Sequence, residues 1–148
     1  MIKVFILTLL ILFTISTNAG KFNEQEIKCL SLNAYHEARS DGEKGMLATI
    51  FVVLNRTKDS RFPSTPCKVI AQPNQFSWYG KGKTIKEPEM YDKAKHLVHE
   101  VLEGKHKDWS RGALYFNSLH KQPKGTVCTV RIGGHSFYKP VAPNKPVK

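Results

Sequence analysis

Acidic residues are scarce in this chain. Only 12 Asp and Glu stand against 23 Lys and Arg, leaving a formal net charge of +11 over 148 residues. A surface of that sign favours polyanions: nucleic acid, anionic lipid, or the acidic polymers of a bacterial envelope. Cysteine is sparse too. Cys29, Cys67 and Cys128 have spacings that match no zinc motif. In an oxidising compartment two of them are expected to pair and leave one odd thiol, and the connectivity is not readable from sequence. There is no internal repeat. The length suits one compact domain with a modest core and leaves no room for a second.

Long apolar runs are also missing, with one exception at the start. Lys3 is followed by Val4 to Ile15, apolar apart from Thr8 and Thr14, and then by Thr17-Asn18-Ala19 before Gly20. That run is too short for a comfortable membrane span. A basic residue, an apolar stretch and small residues form the layout of a secretory signal peptide over residues 1–19. The alternative is an uncleaved signal anchor. In either case the rest of the chain is expected to cross a membrane, to the periplasm or outside the cell. Export makes nucleic acid the less natural partner, and the signal would meet the membrane only during transfer or as an anchor.

What is present begins with helix signals. Asn23 followed by Glu26 predicts a capped helix start, and Ile27, Leu30, Ala34 and Ala38 then recur with helical spacing. At about 100° per residue, Glu37 projects only about 20° from Leu30, at the edge of the apolar stripe. His36 is expected on the opposite side. Ser40-Asp41-Gly42-Glu43 repeats the capping pattern, so Asp41 and Glu43 read as capping residues for a buried helix through Met46–Leu54. Thr65-Pro66 opens a short turn through Val69 and Ile70. Pro88 opens a helix with Ala94, Leu97, Val98, Val101 and Leu102 on one face, and Gly104 lies past its end. Residues 113–117, 127–132 and 135–138 read as short strands, with Gly133-Gly134 as a tight hairpin turn. Helices first and a small antiparallel sheet last make an α+β domain. Residues 141–148, rich in Pro and Lys, read as a loose basic tail.

A Glu at the margin of an apolar face is a candidate general acid, because burial favours the neutral carboxyl. The bland account is a half-exposed helical Glu paired with Arg39 or a nearby Lys. Gln75-Phe76-Ser77-Trp78-Tyr79 adds rings that stack on pyranose faces and an amide that bonds hydroxyls, although Phe76 and Trp78 taken alone are more often core. His96 and His99 lie one turn apart, with His106 just beyond. Together with Glu37 they form a weak zinc alternative, of the kind cell-wall amidases use, without a third ligand at fixed spacing.

Five blocks then stand in order: Tyr35-His36-Glu37-Ala38-Arg39, Val53-Leu54-Asn55-Arg56, Arg61-Phe62-Pro63 with Thr65-Pro66-Cys67, Gln75-Phe76-Ser77-Trp78, and Ile132-Gly133-Gly134-His135-Ser136-Phe137-Tyr138. Across roughly residues 27–139 the chain resembles the SleB/CwlJ-like cell-wall hydrolases, the "hydrolase 2" family of spore cortex-lytic enzymes and their phage or proteobacterial relatives. The resemblance implies a lysozyme- or lytic-transglycosylase-like catalytic domain over residues 20–140. It also implies cleavage of peptidoglycan between N-acetylmuramic acid and N-acetylglucosamine, with Glu37 as the catalytic acid. Gln75, Phe76, Ser77 and Trp78 are the implied glycan contacts, and Tyr115, Asn117 and His135 are further cleft candidates. Core packing for Tyr115, turn formation for Asn117 and a solvated hairpin for His135 remain equal accounts.

A lytic transglycosylase needs one Glu, whereas a two-carboxylate hydrolase needs a second acid across the sugar; no nearby acid is an obvious partner. No cofactor or metal is implied, and a monomer is expected. The chain departs from the family pattern at residues 113–117, between Asn117 and Cys128, and at Asn74, where many relatives carry Cys. Two other classes stay open: a non-catalytic envelope-binding protein that keeps the aromatic groove, and a cationic membrane-active lysis factor.

Overall fold

The structure, a computed structural model, describes residues 21–142. The expected export segment and residues 143–148 of the expected tail lie outside them. Helix α1 (Glu24–Ala38) starts at a complete capping box: the Asn23 side chain accepts from the Glu26 N–H, and Glu26 accepts from the Asn23 N–H. A 3₁₀ turn (Arg39–Asp41) leads into α2 (Gly42–Thr57). The short α3 (Pro66–Ile70) and then α4 (Pro88–Leu102) complete the helices. Strands β1 (Tyr115–Asn117), β2 (Thr126–Ile132) and β3 (His135–Pro140) form one antiparallel sheet in the order β1-β3-β2. This is the expected α+β arrangement. Among the described residues, no helix is long and apolar enough to cross a membrane.

Helix α2 lies at the centre because it is apolar nearly all round. Met46, Leu47, Ile50 and Val53 pack with α1, α3 and α4, and Ala48 and Val52 face the sheet through Ala113 and Phe137. A helix buried on two sides needs a sequence without a polar stripe, which is what Met46–Leu54 supplies. The small Ala48 lets the sheet approach closely. Cys29 of α1 is bonded to Cys67 of α3, and Cys128 remains a free, half-buried thiol. Thr65 occupies the cap position of α3 without a side-chain capping bond.

The end of α2 fastens the sheet to the helices. Asn55 Nδ2 donates to Asp108, Ser110 and the Ala113 carbonyl at 2.9–3.2 Å. Arg56 is almost completely buried; its Nε donates to the Leu114 carbonyl at 2.7 Å and its Nη1 to Gln75 Oε1 at 3.1 Å. The guanidinium also lies over the rings of Phe62, Phe76 and Tyr115, 5.0–5.8 Å from their centroids. No carboxylate pairs with it among the described residues, so carbonyl and amide oxygens and ring faces replace its water.

Two outcomes follow for stability. Replacing Cys29 and Cys67 by Ala opens a loop with a sequence separation of 38, which should cost about 2–4 kcal/mol in urea unfolding. Arg56→Ala leaves the buried Leu114 carbonyl without its donor and a void among three rings. Its expected cost is roughly 2–5 kcal/mol in the same measurement.

Candidate active site

The last turn of α1 divides its labour by face. Tyr35 is buried, and its hydroxyl accepts the backbone N–H groups of Lys86 and Glu87 at 3.0 and 3.1 Å. Arg39 stacks over the Tyr35 ring at 4.7 Å and pairs with Glu87 at 2.5 Å. These two residues hold the segment ahead of α4 against α1. Ala38 is fully buried where the chain turns toward α2. Glu37, lying between them in sequence, is left facing a cleft.

That cleft has a volume of about 390 Å³ and lies between the helices and the sheet. Glu37, Gln75, Phe76, Tyr115, Asn117 and His135 all line it, together with Arg56 and Phe116. Burial raises the Glu37 carboxyl above its ordinary value of 4.5, and the neighbouring basic groups of His135 and Lys83 work against that rise. Burial likewise lowers the Arg56 guanidinium to about 10. Among the described residues, Glu37 is the one carboxylate on the lining. A half-buried carboxyl whose proton affinity burial raises, beside an open concavity with amide and aromatic walls, is equipped to protonate a leaving oxygen.

The other residues singled out by sequence are dispersed. Trp78 lies inside the helical core, where its Nε1 donates to Asn33 Oδ1 at 3.1 Å and its ring stacks on His36 at 4.9 Å. Ser77 is exposed and does not line the cleft. Asn117 serves its own loop as well as the cleft, since its side chain brackets the Lys121 backbone through both amide atoms. His36 does not project to solvent. The Trp78 ring covers it, and burial, then Arg39 and Lys83, hold its imidazole below the ordinary 6.5. Helical angle placed His36 off the stripe of α1, but the 71–82 segment folds back over that side.

Asp41 also differs from the sequence reading. Its side chain makes no capping bond at the start of α2. It accepts instead from the Gly134 N–H at 2.8 Å and pairs with Nδ1 of His135, both across the domain at the hairpin tip. Glu43 is exposed and pairs with Lys93 at 3.2 Å. A four-residue cap pattern is a local signal, and the demand from a hairpin more than 90 positions away (the pairing spans 94 residues) outweighs it. The histidines of the weak zinc reading have other partners: Glu100 pairs with exposed His96 of α4 at 3.4 Å and with His106, beyond the end of the helix, at 2.8 Å. Among the described residues, no group of three or more His, Cys, Asp or Glu is arranged to hold a metal ion.

Comparison with known proteins agrees with this geometry. The chain is 31% identical over 122 residues to the spore cortex-lytic enzyme of Oceanobacillus iheyensis, covering 80% of this chain and 43% of that protein. Identity is also 31% over 122 residues to the spore cortex-lytic enzyme of Bacillus subtilis, of which 39% is covered. The chain therefore spans less than half the length of these curated relatives. Among solved structures it superposes on the catalytic domain of the germination-specific lytic transglycosylase SleB from Bacillus anthracis. The TM-score is 0.66 at 25% identity, covering 81% of this chain and 98% of that one. The catalytic domain of the Bacillus cereus SleB protein gives 0.64 at 29% identity, with 83% and 97% covered. The Cell Wall Hydrolase family model matches residues 40–138, beginning just after Glu37. On this match and these superpositions, the chain belongs to the Cell Wall Hydrolase family.

Proposed function

We propose that this protein cleaves peptidoglycan glycan strands at the N-acetylmuramic acid to N-acetylglucosamine bond, as a lytic transglycosylase with Glu37 as its single acid and base. The observation that carries this reading is Glu37, the one carboxyl on the cleft lining among the described residues, which burial shifts upward. Glu37 gives its proton to the glycosidic oxygen as the bond to C1 of the muramoyl unit breaks. The muramoyl 6-hydroxyl oxygen then bonds to C1, and its proton returns to Glu37. The product is a 1,6-anhydro sugar, and the enzyme ends as it began. A hydrolase with two carboxylates would need a second acid across the sugar. Asp41 does not serve as one, because it sits behind His135 with its oxygens already engaged.

Gln75 and Tyr115 suit the walls of a sugar site, the amide for hydroxyls and the ring for a pyranose face. Arg56 holds both in place from below. The excess of Lys and Arg would keep the enzyme on an anionic wall and raise its local concentration there. Residues 20–140 form the catalytic domain in this reading, acting as a monomer outside the cytoplasm after export by residues 1–19. A cell-wall lysis role of the endolysin kind is compatible with that placement.

Glu37→Gln is expected to lower release of soluble muropeptides from purified sacculi by roughly 10²–10⁴-fold. Mass spectrometry of the wild-type digest should find anhydro-muramic ends. Reducing ends would indicate a hydrolase, free stem peptides an amidase, and binding without release a non-catalytic wall protein. The same variant reports on burial. A folded-state pKa raised above 4.5 means that Glu37 contributes fully to stability below about 4.5, and that this contribution is lost as pH rises through the raised value. Glu37→Gln should therefore melt higher than the wild type at pH 8, and the gain should shrink toward pH 4.

A further inference from the structure

The cleft holds an imidazole that the mechanism above does not use. His135 lines the cavity beside Glu37, and its Nδ1 is engaged by Asp41. The side chains of this pair are only 14% and 7% exposed. Asp41 is itself held firmly: Oδ1 accepts the Gly134 N–H at 2.8 Å. The space around it is reserved by glycine. A Cβ on Gly133, whose φ is +54°, would lie 2.6 Å from Asp41 Cγ, and one on Gly45 would strike Asp41 Cβ. The imidazole is also confined by Phe116, whose ring stands edge-on at 5.3 Å.

An aspartate that accepts from one ring nitrogen decides where the imidazole proton resides. With the proton on Nδ1, directed at Asp41 Oδ2, the other nitrogen carries a lone pair. Nε2 has no hydrogen-bond partner among the described residues and belongs to a side chain that lines the cleft. We propose that Asp41 is a positioning residue that fixes His135 as a hydrogen-bond acceptor, with Nε2 presented to a hydroxyl or acetamido N–H of the glycan next to Glu37. This rests on the cleft being a glycan site. It gives Asp41 and His135 a shared role distinct from proton donation by Glu37, and no proton need leave the pair during turnover.

The tautomer is measurable in the resting enzyme, without substrate. Long-range ¹⁵N–¹H spectra of the histidine-labelled protein, at a pH where the imidazole is neutral, should show His135 protonated on Nδ1. The His135→Gln variant identifies the signal by its loss. Asp41→Asn keeps an oxygen for Gly134 but turns an amide N–H toward Nδ1, so the proton should move to Nε2. Release of muropeptides should then fall at least about 10-fold. Combined with His135→Gln, Asp41→Asn should add nothing further, because it acts through the imidazole. A wild-type spectrum with the proton on Nε2 would overturn the proposal, as would losses that multiply in the double variant. If Asp41→Asn does not fold, the wild-type spectrum still decides. The spectrum is independent of the activity assay, so failure of the glycan reading would appear in the sacculus digest and leave the tautomer result standing.

Discussion

The buried guanidinium of Arg56 is the constraint on which the rest of the cleft depends. A cation removed from water must find other dipoles, and here it finds a carbonyl of the segment entering β1, the side-chain oxygen of Gln75, and three aromatic faces. Those groups come from parts of the chain with little other reason to converge. Satisfying one charge thus brings the end of α2, the 71–82 segment and the sheet into one wall. Asn55, its neighbour in sequence, performs the same service for the loop before β1. The cavity bounded by Gln75, Tyr115 and Glu37 is what remains once these anchors are made.

The acid is placed by a complementary device. Tyr35 and Arg39 flank Glu37 in sequence and spend their polar atoms on the Lys86–Glu87 backbone and the Glu87 carboxylate. The last turn of α1 therefore cannot rotate to bring Glu37 out into solvent without breaking those bonds. Burial then acts on a carboxyl that has no cation bonded to it, and its proton is held more tightly. The upward shift of that carboxyl follows from helix geometry together with two neighbours that look incidental in the sequence.

Much of this was legible beforehand, and the failures share a cause. The capping box at Asn23, the apolar body of α2, the stripe of α4 and the Gly133-Gly134 hairpin are local patterns, and the structure has each of them. The facing of Glu37 follows from helical angle alone. Ser-Asp-Gly-Glu is a good cap pattern, and nothing local announces a partner for Asp41 in β3. Its signal was present in a different form, as glycines at 45, 133 and 134 converging on one side chain. His36 and Trp78 stand in separate segments, and only the fold brings their rings into a stack. A lone Arg at a helix end, as Arg56 is, reads as solvated until the surrounding rings are seen. The pairing of Cys29 with Cys67 required knowing that α1 and α3 pack.

The glycines around Asp41 carry a consequence for how this protein can change. Gly45 and Gly133 lie far apart in sequence and border the same carboxylate, each excluding a methyl group for the same reason. A Cβ at either position meets the Cβ of Asp41, so trimming residue 41 to alanine relieves neither, and Gly133 is held besides by its φ of +54°. Positions 45 and 133 therefore accept only glycine while any residue with a Cβ stands at 41. A library will find them intolerant whether they are varied singly or together with position 41, so the seat of the hairpin tip against α2 is closed to gradual change.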